Sequence, residues 1–469
     1  MSNKSVVLRL RKDKMGNRGV FLFDEDILLL KQLLIHQSMR ATTIHEFYQA
    51  LAQYSMNESR NVNGITNRLG KLTAAGVLVQ SRVKLRGSYF LYHYRLGTRG
   101  VDVLVELKIL DASDKERVVD SSRKFAIPSE HTEAMSHIAN QIYISLYTND
   151  TISEFTQTRG SAHKDFGHSR SQIDKIEENV VPDWVFTCGD TIVCVEVDTG
   201  SQRQHMIKHK YKSYIKHARR FIEAGKKVVV VFSVVDGTIF NRFSKNRDKR
   251  VSSIKQLAPP FNEWVSYLDE KTQIMDSEEK PLDLQFYAVS AKQTANLIER
   301  ILIGSQPFSS VDRFQYAEDW MRKARYVMGK DYVLESIEKE QVYLPRRDPI
   351  MDCDLVVSVK PKGRERERLF LVIYGEEGSV ITYQLIRTNG ARLSKLNEVE
   401  RPNYGRLLVC YDEMINMKED VYGQQLPCEM WQTDSDSWVK AMSEGQKAAA
   451  PEIMHVISPF KKEWRRFNE

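Results

Sequence analysis

"VPDWVFTCGDTIVCVEVDTGSQRQ", residues 181–204, is the stretch that decides how the middle of this chain is built. Two apolar β-runs flank Gly189-Asp190, a pair of residues suited to a tight hairpin loop. If those two residues form the loop, facing positions have numbers summing to 379. Asp183 then stands opposite Glu196, and Asp198 is a diagonal neighbour on the same face. Val193, Val195 and Val197 point the other way, as alternation along a strand requires. Like charges across a strand pair repel, so the arrangement calls for a shared proton or a divalent cation between the carboxylates. Asp183, Glu196 and Asp198 are therefore the candidate metal ligands.

The flanks extend the unit. A helical stretch, 131–147, precedes the hairpin. After it, Ile207, Tyr211, Tyr214, Ile215, Ala218 and Ile222 mark the buried side of a helix. Lys208, Lys212, Lys216 and Arg219 run along another side and suit phosphate contacts. "KVVVVFSVV", 227–235, reads as a buried parallel strand. Charge is distributed accordingly. Residues 201–255 carry 15 Lys/Arg against 3 Asp/Glu, whereas residues 150–200 carry 4 against 10. A basic segment beside an acidic centre suits a polyanion partner.

Upstream, three amphipathic helices are expected. Asp24 begins one carrying Ile27, Leu30 and Leu33. Thr43 and Glu46 fit a capping box for the second. Val62, Ile65, Leu69 and Leu72 line the third, which presents Arg60, Asn63, Asn67 and Lys71 opposite, with Arg68 beside them. Gly76 ends that helix, and 77–97 reads as two β-runs around Arg86-Gly87. Three helices and a basic hairpin form a winged helix-turn-helix pattern. Its third helix would enter the major groove of double-stranded DNA, with Lys84 and Arg86 of the wing on phosphate. Asn and Arg suit base edges because each makes paired hydrogen bonds. The same fold also serves protein contacts.

The order of helix, hairpin, helix and strand around Pro182-Asp183 and Glu196 resembles the PD-(D/E)xK restriction-endonuclease-like fold. In that family an Asp and a Glu hold Mg²⁺, and a Lys two residues after the Glu activates water. Here Asp198 stands where that Lys belongs. More narrowly, a winged helix followed by "PDWVF…VEVDTGS" is similar to the replication-relaxation proteins of bacterial plasmids and mobile elements. The resemblance implies a site-selective DNA-binding protein with Mg²⁺ as its cofactor, if any. Without the usual Lys the nuclease-like domain is expected to be non-catalytic. The alternatives are a Mg²⁺-dependent endonuclease or nickase, with Lys208 as a migrated catalytic Lys, and a regulator whose domains bind proteins. Self-association and other mobile-element proteins are the further partners considered.

The last third echoes the middle. A helix at 315–328 precedes "DCDLVVSV", 352–359, and "RLFLVIYGEEGS", 368–379. Aligning Gly378-Ser379 with Gly200-Ser201 puts Asp354 at the Asp183 position, Tyr374 at Glu196 and Glu376 at Asp198. The expected architecture is thus α/β multidomain. It comprises a winged helix at 20–110, a nuclease-like domain at 125–305 and a degenerate copy at 312–469, with 111–124 as linker. Five scattered cysteines lack disulfide or zinc spacing, and His137, His163 and His168 are too irregularly spaced for a ligand set. The absence of a long apolar run or leader points to a cytoplasmic protein with no membrane partner.

Overall fold

The computed structural model describes residues 6–13, 16–56, 61–84, 90–124, 128–166, 180–237, 247–261, 263–264, 283–304, 310–339, 353–364, 367–399, 405–422, 426, 428–444, 450–458 and 461–466. The chain divides into two compact units, Met1–His163 and Lys164–Glu469.

In the first unit, strands β1 (Val6–Leu10) and β2 (Val20–Phe23) pair antiparallel ahead of helix α1 (Asp24–His36). Next come β3 (Met39–Arg40), α2 (Ala41–Met56), α3 (Val62–Ala74), β4 (Leu78–Lys84) and β5 (Phe90–Leu96). The three-stranded sheet has the order β3-β5-β4 and shares one core with the three helices. Leu30, Leu33, Phe47, Leu51, Ile65, Leu69 and Leu72 meet in its core. These are the apolar positions whose helical spacing was legible in the sequence. Gly76, at φ +67°, closes α3 in the left-handed region that a side chain resists.

Two segments depart from expectation. Residues 111–124 are not a bare linker. They contain α5 (Lys115–Arg123), after α4 (Thr98–Glu106), and Ser122 Oγ donates to the Leu96 carbonyl at 2.6 Å. Helix α6 (Glu130–Tyr147), expected to open the nuclease-like domain, belongs to the first unit. Its Gln141 amide donates to Glu46 at 2.9 Å, its Ser136 hydroxyl lies 2.8 Å from His36 Nδ1, and its Glu133 lies 3.2 Å from His93. Polar positions on α6 thus match the winged-helix elements as closely as its apolar ones. Strand β6 (Thr156–Arg159) follows.

The second unit begins with the hairpin, β7 (Trp184–Cys188) and β8 (Thr191–Asp198). It continues through α7 (Gln204–Ile222), β9 (Lys227–Val234), α8 (Arg247–Leu257), β10 (Leu284–Ser290) and α9 (Ala291–Leu302). Trp184 faces Val195 and Cys188 faces Thr191, which is the register whose pairs sum to 379. Strands β9 and β10 add in parallel, so the order within this unit is β10-β9-β8-β7.

The plan then recurs. Helix α10 (Ser310–Met328) and strand β11 (Tyr332–Ser336) lead to the hairpin β12 (Leu355–Pro361) and β13 (Arg368–Tyr374). After it come α11 (Val380–Val399), β14 (Gly405–Tyr411), α12 (Met414–Glu419), β15 (Met430–Asp434), α13 (Ser435–Ser443), β16 (Glu452–Ser458) and β17 (Lys461–Arg466). Again an antiparallel hairpin is followed by a helix and two strands added in parallel.

Hydrogen bonds fix how the two copies correspond. Asp183 donates its N–H to Val195 O, and its Oδ2 accepts from Val197 N at 2.7 Å. Asp354 donates to Val372 O, and its Oδ2 accepts from Tyr374 N at 2.6 Å. Asp354 is therefore the counterpart of Asp183, as expected. Tyr374, however, takes the place of Val197, Ile373 that of Glu196, and Gly375 that of Asp198. The expected pairing of Tyr374 with Glu196 and Glu376 with Asp198 is corrected by one residue. The Gly-Ser match misled because Gly378 comes three residues after Gly375, whereas Gly200 comes two after Asp198.

The copies are not separate domains. One apolar core runs from Phe166 and Tyr211 through Phe286 to Leu371, Val409 and Val456. Polar ties cross the seam. Ala288 N donates to Gly378 O, Gln384 Nε2 to Pro259 O, and the buried Lys255 ammonium to Asp420 Oδ1 at 2.7 Å.

Two buried carboxylic acids line this seam. Glu376 meets the Tyr287 hydroxyl at 3.0 Å, and Glu377 lies 3.3 Å from Arg300. Burial is the main cause that pushes Glu376 up to about 7 and Glu377 up to about 8, against the pull of Arg313 and Arg300. A carboxyl whose folded pKa is raised binds its proton more tightly in the native state. Its contribution is therefore present in full below the unfolded value near 4.5 and is lost as pH rises through about 7 to 8. Chemical denaturation of the full chain between pH 5 and pH 9 should show this loss, and Glu377→Gln should flatten the slope. An unchanged slope in the variant would remove Glu377 as its source.

Candidate nucleic-acid interface and carboxylate site

Helix α3 starts cleanly because Asn61 accepts from Gly64 N at 2.7 Å, a side-chain cap. Its buried residues are Ile65, Leu69 and Leu72, so Asn63, Asn67 and Lys71 lie exposed on the other side. Arg68 does not join them. Its guanidinium is held by both oxygens of the buried Asp26 carboxylate, by Phe21 O and over the Phe23 ring. Asp26 also takes the Tyr48 hydroxyl at 2.8 Å and Phe23 N at 2.8 Å. Arg68 is thus a brace between α3 and α1 rather than a hand held out to DNA. Arg60 and Arg86 lie outside the described residues, as does the side chain of Lys84, although Lys84 ends β4.

In the second unit, α7 was expected to carry a cationic stripe. Lys208, Lys212 and Lys216 are exposed, while Arg219 is half-buried and pairs with Glu223 at 2.8 Å. Beneath them Asp183 lies at the start of the hairpin, where its N–H donates to Val195 O and its Oδ2 accepts from Val197 N at 2.7 Å, and its charge reaches Glu196. Glu196 is only 2% exposed. Its Oε1 accepts from the Tyr214 hydroxyl at 2.6 Å and its Oε2 from Lys210 Nζ at 2.5 Å. Burial raises the Glu196 carboxyl above the ordinary range, and Asp183 adds to that. Lys210 and Tyr214 pull it back.

The lysine at the site is therefore Lys210, not Lys208. Lys210 follows the buried Ile207 by three residues and precedes Tyr214 by four, which turns it toward the sheet. Lys208 lies about 200° away around the same helix and faces solvent. Sequence reasoning missed Lys210 because the helix is lysine-rich and the expected spacing from Glu196 was carried over from the family. The buried stripe was the signal that could have found it.

Asp198 is drawn elsewhere. Arg250 of α8 holds both of its oxygens and also donates to Gln202 O at 2.7 Å, while Gly200 N donates to Asp198 Oδ1 at 3.0 Å. Arg250 comes from α8, 52 residues after Asp198 in the chain. Among the described residues no group of three or more His, Cys, Asp or Glu converges as a metal-ligand set. The donor atoms explain why. Both Glu196 oxygens, both Asp198 oxygens and Asp183 Oδ2 accept hydrogen bonds from the protein. A Mg²⁺ ion asks for these same oxygens, so it does not fit this arrangement unless Lys210 leaves Glu196. Of the three histidines, His137 lies 3.5 Å from Glu46 in the first unit, His163 caps a short turn at Gly160, and His168 lies outside the described residues.

No helix among the described residues is long and apolar enough to cross a membrane, and the five cysteines are free thiols. Residues 33–231 match the family model described as replication-relaxation. The matched segment runs from the end of α1 through the hairpin and α7 into β9. No curated protein and no solved structure matches the chain.

Proposed function

Because residues 33–231 belong to the replication-relaxation family, we propose that the chain is a site-selective double-stranded DNA-binding protein of a bacterial mobile element. In this reading the nuclease-like fold is a platform rather than a catalyst. The observation that carries it is the internal neutralisation of the carboxylates: Lys210 and Tyr214 complete Glu196, and Arg250 completes Asp198. The winged helix supplies base readout through Asn63 and Asn67, with Lys71 on phosphate. Lys212 and Lys216 of α7 add sequence-independent phosphate contacts.

One observation favours a second reading. An Asp facing a Glu that touches a Lys is also the residue set of a metal-dependent nuclease, so withdrawal of Lys210 would open a Mg²⁺ site on Asp183 and Glu196. A plasmid carrying the protein's own binding site, incubated with the full chain and Mg²⁺ or Mn²⁺, separates the two. Intact supercoiled DNA supports the platform; nicks or breaks that Glu196→Gln abolishes establish the nuclease.

DNA binding itself has its own test. On a selected site Asn63→Ala or Asn67→Ala should cost about 1–3 kcal/mol and relax sequence preference. Lys212→Ala should weaken all duplexes alike and lower the slope of log affinity against log salt by about one. A full chain with no salt-dependent binding to any duplex would instead leave the winged helix as a protein-contact module.

A further inference from the structure

A pocket in the carboxy-terminal half lies at the end of the sheet where β14 and β15 begin, the opposite end from Asp354 and Tyr374. Its volume is about 270 Å³, and its walls include Arg406, Cys428, Glu429, Trp431, His455 and Arg465. Arg406 is the residue out of place. Its guanidinium lies 4.8 Å from the centre of the Trp431 ring, and its Nη1 is buried with no hydrogen-bond partner. Burial, and the nearby Arg368 and Arg465, pull its pKa down to about 10. A guanidinium is planar and carries five donors, so an arginine held this way is poised for a bidentate acceptor.

The charge of Glu429 reaches Arg406, but no wall residue hydrogen-bonds its Nη1. Glu429 is committed to His455 Nε2 at 3.1 Å, and Glu463 to Arg465 at 2.8 Å. His455 is 6% exposed and stacks on Trp431, with ring centres 4.4 Å apart and planes 16° from parallel. Trp431, only 3% exposed, carries both Arg406 and His455 against its ring, which leaves little of it for a base or a sugar to stack on. Asn397, also in the wall, is tied to both the N–H and the C=O of Gly405. What remains unused is the Arg406 Nη1 donor, in a space larger than a water molecule requires. A partly buried guanidinium with a spare donor favours an occupant bearing two or three oxygens and negative charge.

We propose that this pocket is a binding site for a phosphate group, with Arg406 as its principal ligand. The occupant is a phosphomonoester or free phosphate, because the stacked rings leave oxyanion recognition as the chemistry on offer. It is a site separate from the carboxylates of the hairpin β7–β8, and it does not depend on whether those carboxylates cleave DNA.

Isothermal titration of the full chain with inorganic phosphate tests it. Saturable one-to-one binding in the range of about 1 mM or tighter is expected, and Arg406→Gln should weaken it about tenfold or more. Because Arg406→Gln removes a partly buried charge, the variant should fold, and its thermal midpoint should no longer rise with added phosphate as that of the wild type does. A 5′-phosphorylated and a 5′-hydroxyl oligonucleotide of the same sequence identify the source. If only the phosphorylated strand competes with phosphate, the occupant is a nucleic-acid end; if neither competes, it is a small phosphorylated molecule. Wild-type protein that takes up no phosphate, or an Arg406→Gln variant that binds as the wild type does, overturns the proposal.

Discussion

Replacing Lys255 with Met is expected to destabilise the second unit by about 3–5 kcal/mol, the usual penalty for removing one partner of a buried ion pair. Lys255 and Asp420 are each about 1% exposed, on elements from opposite copies of the repeat. Asp420 has other donors: Tyr411 at 2.8 Å, Gly378 N at 3.0 Å and its neighbour Val421 N at 2.9 Å. Those bonds hold its carboxylate in place when the ammonium is gone, so it stays buried without its cation. Lys255 also donates to Val421 O at 2.9 Å, which would lose its partner too. Urea denaturation of the full chain followed by tryptophan fluorescence reads the effect. The double variant Lys255→Met with Asp420→Asn should recover much of the loss, since no unpaired charge remains. A single variant as stable as the wild type would mean that the pair contributes nothing across the seam.

Lys210→Met is the second change with a large expected effect, of about 3 kcal/mol at pH 8. It leaves Glu196 buried with only the Tyr214 hydroxyl. Loss of the ammonium removes the strongest force holding the Glu196 carboxyl down, so its pKa rises further. The folded state then binds a proton that the unfolded state has already lost, and stability falls as pH rises. The gap between variant and wild type should therefore narrow as the pH is lowered, because the variant takes up the carboxyl proton first. Glu196→Gln added to Lys210→Met should restore stability at all pH values. Equal stability of Lys210→Met and wild type at pH 8 would show that Lys210 does not neutralise Glu196 in solution, and would leave it free for another role.

The hairpin was legible because its information is local. A Gly-Asp turn and a period of two fix the register, so Trp184 opposite Val195 and Cys188 opposite Thr191 followed from counting. The helices of the winged unit were legible for the same reason. What escaped were contacts between residues far apart in sequence. Nothing in the amphipathic pattern of residues 130–147 says which core it will join; that depends on Glu46, His36 and His93 meeting it. Arg68 has the composition of a DNA contact, and only the burial of Asp26 reassigns it. Arg250 and Lys210 complete carboxylates from helices whose charge alone suggested solvated faces. The off-by-one repeat alignment arose because a Gly-Ser pair was weighted above strand register, and Gly378 lies one residue further past its strand register than Gly200 does.

The continuous core beneath both copies has a consequence for how this chain can be inherited. The segment that carries the family pattern ends inside β9, yet the apolar faces of β9, β10 and α8 are covered by residues from beyond position 350. A genetic crossover that imported only residues 33–231 from a diverged relative would bring new side chains against an old partner half. Viable exchanges must therefore take the whole of 164–469 as one block, or fall at the boundary near residue 163, where the two compact units divide. The modular unit of this protein is the fused pair of halves, not either half alone.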